Sequence, residues 1–330
     1  MHLSGAPTAV SINFDSLNEA YGFPAGYRDP SFFEGMDRLL SIAERYGIPL
    51  SIYVIGKDLE NKEIFSRVRD WAQAGHEIGN HSWSHRVDLG RMTPAMVRDE
   101  IGRAHDLIAD CIGAEPVGFI APAWSTSSRV VKALIELRYL YDTSVFPSFV
   151  LYPAVIKNFF HHLGNPKKSI RIIDRPDWLG PFVRPTEPYY TDKDFRVLRE
   201  PTSEGLLVLP LPTLSRLTPC IWHTVGFMFG WPFLLKQVER LLNAHKGFYY
   251  LLHPADFLGP EDTTDKYSHS LYRMDISLNE KIQRLEQVFE RLAFSPRPVG
   301  TMRELAAFHY RQSTDLGGEK GLDMGWLRKG

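Results

Sequence analysis

Residues 75–85 read Gly75-His76-Glu77-Ile78-Gly79-Asn80-His81-Ser82-Trp83-Ser84-His85, and the arrangement of the whole chain follows from them. His81 and His85 stand four residues apart, so their imidazoles can reach one cation, and neutral imidazole is a good ligand for zinc and similar metals. Spacing alone is weak evidence: with 12 His in 330 residues, chance supplies roughly 0.4 such pairs. The context adds weight. Glu77-Ile78-Gly79 follows a helix-like run and a Gly, and reads as a short strand ending where Asn80 and His81 begin. Both imidazoles then sit at the C-terminal end of a strand, the side on which parallel α/β folds gather their active sites.

The same pattern extends in both directions. Residues 9–14 (AVSINF) form a β-branched and aromatic run that ends in Asp15. Pro30-Ser31 opens a helix whose Phe32, Phe33, Met36, Leu39, Leu40 and Ala43 share one face, and Gly47 stops it. Residues 50–55 are a second strand, and Ile64, Val68, Trp71 and Ala72 mark the helix leading back to Gly75. Beyond His85, Thr93-Pro94 is an N-cap followed by Pro at the first helical position. Residues 116–120 are a fourth strand ending at Ala121-Pro122-Ala123-Trp124, and Ser125-Thr126-Ser127 caps the next helix. A fifth, residues 139–141, ends in Asp142.

The rhythm then breaks. Residues 146–204 are rich in Pro, aromatic and basic side chains, with 171–176 as their only strand-like fragment. It resumes with a strand at 205–210, a helix at 232–244 and a strand at 248–252 that ends in His253-Pro254. A helix at 277–292, a short strand at Val299 and a helix capped by Thr301 complete the pattern. Several strands in succession carry chemistry at their C-terminal ends, and Phe14-Asp15-Ser16-Leu17 is unlike the Gly-rich turn that opens a dinucleotide-binding sheet. The expectation is a distorted (β/α)7 TIM-like barrel over residues 1–311, with 146–204 as an irregular insertion after the fifth strand and 312–330 as a flexible tail.

At 44% hydrophobic and 23% charged residues, the chain can bury a large core. A formal net charge of -1 supplies no bulk field toward nucleic acid, so no nucleic-acid partner is expected. Cys111 and Cys220 are far apart and outside any CxxC, which argues against a disulfide framework or a thiolate metal site. Residues 1–7 have no basic stretch of the secretory kind, so a cytoplasmic location is expected. Residues 217–235 (LTPCIWHTVGFMFGWPFLL) are nearly long enough to span a bilayer. With two Pro, two Gly and His223, they read instead as a buried loop and helix start.

These pieces resemble the polysaccharide deacetylases of the NodB homology domain, carbohydrate esterase family four, over residues 9–307. Asn13-Phe14-Asp15 resembles the opening aspartate motif and His81-Ser82-Trp83-Ser84-His85 the H-[ST]-x-x-H motif. Residues 119–124 (FIAPAW) resemble the third motif, residues 141–147 (YDTSVFP) a YDSSxxP element, and Leu252-His253-Pro254 the late histidine motif. The resemblance implies metal-dependent hydrolysis of an N-acyl amino sugar, acetyl or formyl, in polysaccharide or glycolipid synthesis. It implies Asp15, His81 and His85 as ligands of a divalent metal, zinc by preference. Asp15 would also serve as base and His253 as general acid.

Pro122, Trp124, Asp142 and Arg175 are the expected substrate contacts, and Arg171, Arg175 and Arg184 would suit a phosphate-bearing substrate. Two positions depart from the family. Ser16 and Leu17 follow Asp15 where a second carboxylate is usual, so Asp15 does the work of two or Glu19 reaches in. Ile120 stands where the third motif carries an Arg. Two other readings therefore stand beside the first: a catalytically degenerate carbohydrate-binding barrel, and a hydrolase of a non-sugar C–N amide bond. Residues 146–164 and 217–235 are apolar enough to seat a lipid-linked substrate or touch a membrane peripherally, with Lys157, Lys167 and Lys168 meeting phosphate. The ordinary alternatives are packing on each other or pairing in a homo-oligomer.

Overall fold

The computed structural model describes residues 5–24, 26–150, 152, 179–244, 248–263, 271 and 273–315. Strand β1 (Thr8–Asn13) is the centre of the sheet, pairing in parallel with β2 (Leu50–Val54) and β9 (Phe248–Leu252) and, through Thr8 and Ala9, with β10 (Val299–Gly300). From β2 the parallel order continues through β3 (Glu77–Asn80), β4 (Gly118–Phe119), β5 (Tyr141–Asp142) and β8 (Leu206–Val208). Seven parallel strands, β9-β1-β2-β3-β4-β5-β8, thus form the wall of a distorted (β/α)7 barrel. Among the described residues no ladder joins β8 to β9. A bridge between Trp222 and Leu251 and a Tyr249 hydroxyl donating to the Leu209 carbonyl at 3.3 Å span that seam.

Alternation along each strand sorts its side chains to two buried faces, as a parallel sheet covered by helices requires. Val10, Ile12, Leu50, Ile52, Val54, Tyr250 and Leu252 point outward into the core shared with α1 (Met36–Arg45), α2 (Lys62–Gln73), α3 (Pro94–Ile112), α7 (Trp231–Asn243) and α8 (Leu278–Ala293). Ala9, Tyr53, Tyr141, Leu207, Tyr249 and Leu251 fill the interior. Rings of this size fit because neighbouring strands carry Gly: a Cβ at Gly79 would come within 2.5 Å of the Tyr53 ring, and one at Gly118 within 2.1 Å of the Tyr141 hydroxyl. The lower end is closed by α9 (Met302–Asp315), whose Met302, Leu305 and Tyr310 pack on these rings. Its first N–H groups are taken by Ser51 Oγ and the partly buried Glu77 carboxylate, which stands in for a capping residue.

Several elements differ in extent from the sequence expectation. Strands β4 and β5 are two residues each, because Ala121-Pro122 and Thr143-Ser144 turn the chain out of the ladder. Residues 31–35 form one π-helical turn before α1. The 146–204 excursion contributes an antiparallel pair, β6 (Tyr189–Thr191) and β7 (Val197–Leu198), with β6 on the free edge of β8. The expected fragment at 171–176 lies outside the described residues. After α4 (Ser128–Glu136) and the short α5 (Gly180–Val183), residues 217–235 become a loop that buries Cys220 and Ile221 but exposes Leu217, then α6 (His223–Phe229) and the start of α7. No helix among the described residues is long and apolar enough to cross a membrane. Helix α9 runs through Asp315, and 316–330 lie outside the described residues.

Candidate metal and catalytic centre

The His81 segment is held at both ends before its side chains do anything. His81 N–H donates to the Val54 carbonyl at 2.9 Å, extending the β2–β3 ladder by one residue. The Asn80 side chain then caps the turn, its Oδ1 accepting from Ser82 N–H at 2.7 Å and its Nδ2 donating to Ile101 O and the Tyr139 hydroxyl. Ser84 is tied to the Glu100 carboxylate of α3 through both N–H and hydroxyl. Ser82 and His85 take positive φ (64° and 52°), a conformation rare for non-Gly residues that such anchoring sustains.

Within this frame Asp15, at the C-terminal end of β1, meets both imidazoles. Its Oδ1 lies 3.1 Å from His81 Nε2 and 3.2 Å from His85 Nε2. Among the described residues these three are the one group of His, Cys, Asp or Glu with converging ligand atoms, all within 4.8 Å of one another. The donor set suits a divalent cation. His81 Nδ1 sits 2.7 Å from the Ile120 carbonyl, which can only accept, so Nδ1 carries the hydrogen and Nε2 of the neutral ring carries a lone pair. Burial pushes His81 toward that neutral form, against the pull of Asp15. A lone pair and a carboxylate oxygen facing each other at 3.1 Å are repulsive, and a shared cation turns the repulsion into ligation. Burial also acts upward on Asp15, but the charge of His85, with the other histidines beside it, outweighs it and holds the carboxyl well below the usual range.

His253, leaving the end of β9, faces the other oxygen of Asp15, Nε2 to Oδ2 at 3.7 Å. Its Nδ1 lies 3.7 Å from Asp256 Oδ2, three residues on. Burial disfavours the cationic ring, yet Asp256 and Asp15 outweigh that and raise His253 above its ordinary value. Asp256 is correspondingly lowered, burial being overcome by His253, His223 and Lys281. The loop is fixed from behind by Arg38, which donates to Phe257 O, and by Lys281, whose buried Nζ donates to Leu258 O.

The remaining expected site residues are distributed differently. Trp124 joins Phe146 and Trp222 in a three-ring cluster with centroids 5.5–5.6 Å apart, and it too has a positive φ, 56°. Pro122 is buried. Asp142 is fully buried, and its Oδ1 accepts from Ser144 N–H at 3.0 Å and from the Ser144 hydroxyl. Arg175 lies outside the described residues. Ile120 points into the barrel interior and serves the centre through its carbonyl instead. Glu19 pairs with Lys57 at 2.8 Å and does not join the histidines.

Three residues were not singled out by sequence reasoning. Asp256 is three residues after His253, a spacing that could have found it. Asp58, pushed by burial up to about 8, lies beside Ser16 and has no local signal. Asn13 precedes Asp15 by two residues, so it faces the same interior; its Oδ1 is buried without a partner.

The chain is a TIM-like α/β barrel with an Asp-His-His group and a further histidine at the C-terminal ends of its parallel strands. Residues 7–141 match the polysaccharide deacetylase family model. It is similar to a peptidoglycan deacetylase of Helicobacter pylori, 27% identical over 154 residues, which are 46% of this chain and 50% of that protein. The chain thus matches about half the length of that curated relative. In fold it is similar to a Mycobacterium smegmatis crystal structure described as a polysaccharide deacetylase, with TM-score 0.59, 17% identity and coverage of 94% and 92% of the two chains. It is also similar to that of Puue allantoinase, with TM-score 0.55, 15% identity and coverage of 92% and 90%.

Proposed function

We propose that this chain is a metal-dependent deacylase that hydrolyses the amide of an N-acetyl or N-formyl amino sugar during polysaccharide or glycolipid synthesis. The observation that carries the reading is the convergence of Asp15 Oδ1 on both His81 and His85, with His253 set on the opposite carboxylate oxygen. Asp15, His81 and His85 would hold the cation, and two nitrogens with one oxygen favour zinc. Held there, it supplies Lewis acidity toward the acyl carbonyl and makes water a stronger nucleophile.

The chain's own residues do the rest. Asp15 Oδ2, not engaged by His81 or His85, is the acceptor for the proton that water loses. His253, whose protonated form Asp256 and Asp15 favour against the opposing effect of burial, delivers a proton to the departing amine. Trp124, with Phe146 and Trp222, offers an apolar wall against which a sugar face can rest. The test is amine release from N-acetyl and N-formyl glucosamine by the purified protein, with and without added zinc. Release that depends on the metal supports the deacylase; a protein that binds these sugars without turnover is the degenerate binding barrel instead. Hydrolytic ring opening of allantoin-like ureides alone, followed as the carboxylate formed, would favour the non-sugar amidase.

The reading includes a lipid-linked substrate at a membrane surface. Leu179, Phe182, Val183 and Leu217 are 65, 59, 56 and 80% exposed. Arg216, beside Leu217, donates to the Phe182 and Arg184 carbonyls, so the four belong to one surface. Such a grouping suits contact with acyl chains. Buried, unpaired Cys111 and Cys220 suit a reducing, cytoplasmic compartment.

A further inference from the structure

A cavity opens on the same end of the barrel, beside Phe146, with a volume of about 350 Å³, at the lower end of the roughly 300–1,000 Å³ of small-molecule sites. Thr126, Ser127, Phe146, Leu179, Arg184 and Phe195 line it. Two of its hydroxyls lack hydrogen-bond partners. Thr126 is 4% exposed and its hydroxyl has no hydrogen-bond partner, nor has the hydroxyl of Ser127. Ser127 is the N-cap of the nine-residue α4, yet its side chain makes no cap hydrogen bond, so the first N–H groups of that helix gain nothing from it.

Arg184 faces the cavity stacked on Phe195, its guanidinium carbon 3.4 Å from the ring centroid, with one nitrogen donating to the Phe195 carbonyl. Among the described residues no carboxylate pairs with it. Asp194, the one carboxylate among the lining residues, is turned to Arg196 at 3.5 Å. A guanidinium out of bulk water, two idle hydroxyls and a helix N-terminus are together the donor set of an oxyanion site.

We propose that this cavity is a subsite for an oxyanion, the phosphate or carboxylate of a charged amino-sugar substrate whose acyl group lies at the Asp15 centre. The word substrate rests on the deacylase reading; the anion site does not. The phosphate would take the Thr126 and Ser127 hydroxyls and the α4 N–H groups on one side and Arg184 on the other. The neutral part of the sugar would then cross the Phe146 and Trp124 rings toward the metal ligands.

Calorimetric titration of the full chain with inorganic phosphate, and separately with lactate, tests the site. The expected result is saturable binding of at least one anion that persists when His81→Ala and His85→Ala are combined. It should weaken about tenfold or more in Thr126→Val and in Arg184→Gln, the loss of one charge-assisted or buried hydrogen bond. Thr126→Val is nearly isosteric and decides the matter even if Arg184→Gln folds poorly. Binding of neither anion, or binding lost with the histidines and untouched by Thr126→Val, overturns the proposal.

Turnover then identifies the source of the charge. N-acetylglucosamine, its 6-phosphate and N-acetylmuramic acid are compared by kcat/KM, with one charged sugar expected to lead by about tenfold or more. That lead should shrink in Thr126→Val. Equal values for all three overturn the subsite. If none is turned over, the deacylase reading fails and the titration alone decides the cavity.

Discussion

Asp15 Oδ1 and His81 Nε2 stand 3.1 Å apart while the other nitrogen of the ring is committed to the Ile120 carbonyl. The backbone of the fourth strand therefore sets which nitrogen of a histidine on the third faces a carboxylate on the first. This is the second-shell arrangement that orients metal-binding imidazoles. Replacing His81 and His85 together by Ala should abolish bound zinc in elemental analysis, since one carboxylate cannot hold it alone. Stoichiometric metal in that double variant would show that the ligands lie elsewhere.

His253 should matter to turnover and not to metal. His253→Ala is expected to lower kcat by about 10²–10⁴, the range for loss of a general acid, at unchanged metal content. Asp256→Asn should lower it by about 10–100-fold and move the alkaline limb of kcat/KM to lower pH. The sign follows from the pairing: Asp256 raises His253, the protonated ring is the active form, and removing the raising charge releases its proton earlier. A loss of activity with an unmoved limb would reduce Asp256 to a structural prop.

How far the sequence revealed this centre depends on where each side chain gets its partner. The ends of β1, β3 and β9 were legible because short β-branched or aromatic runs stop at Asp15, His81 and His253, and a parallel fold brings such ends together. Asp256 offered only its three-residue spacing from His253, and Asp58 offered nothing local, because what sets it apart is burial among groups distant in sequence. Strands β6 and β7 were hidden by their setting in a Pro-rich excursion, where the free edge of β8 supplies the hydrogen bonds that local sequence does not promise. The missing Arg at Ile120 suggested a gap in the site, whereas the carbonyl at that position, invisible to any side-chain motif, is what steadies His81.

Asp58 gives a prediction on stability. Burial raises its carboxyl to about 8 in the folded protein, against about 3.9 in an unfolded chain. The native state thus keeps a proton that the unfolded state releases, and this contribution is fully present below about pH 4 and lost as pH rises through about 8. Asp58→Asn should remove that slope, leaving the variant more stable than the parent by about 2–5 kcal/mol at pH 8, with little difference at pH 4. Urea unfolding at the two pH values measures it, and parallel pH profiles would sink the argument. For the same reason Ser16→Asp is expected to lower stability without raising zinc affinity, because Ser16 is buried beside Asp58 and the new charge would meet that carboxyl.

The exposed surface of Leu179, Phe182, Val183 and Leu217 leads to the last prediction. Its four side chains are more than half exposed, on two segments that Arg216 ties together. Phe149 strengthens the link from beneath, stacking edge-on to Phe182 at 4.9 Å while its N–H donates to Arg216 O. Grouped apolar side chains of this kind mark a contact surface, where scattered ones need no explanation. If that contact is a bilayer, the protein should float with liposomes containing anionic lipid, and Phe182→Glu with Leu217→Glu should leave it in the soluble fraction. Burying two charges in the interfacial region opposes binding without touching the barrel core. The same pair should lower kcat/KM for a lipid-linked amino sugar and spare the free sugar. Should the unaltered protein remain soluble and turn over both forms alike, the surface serves another contact, and a homodimer in sedimentation analysis that the two substitutions dissociate would identify it.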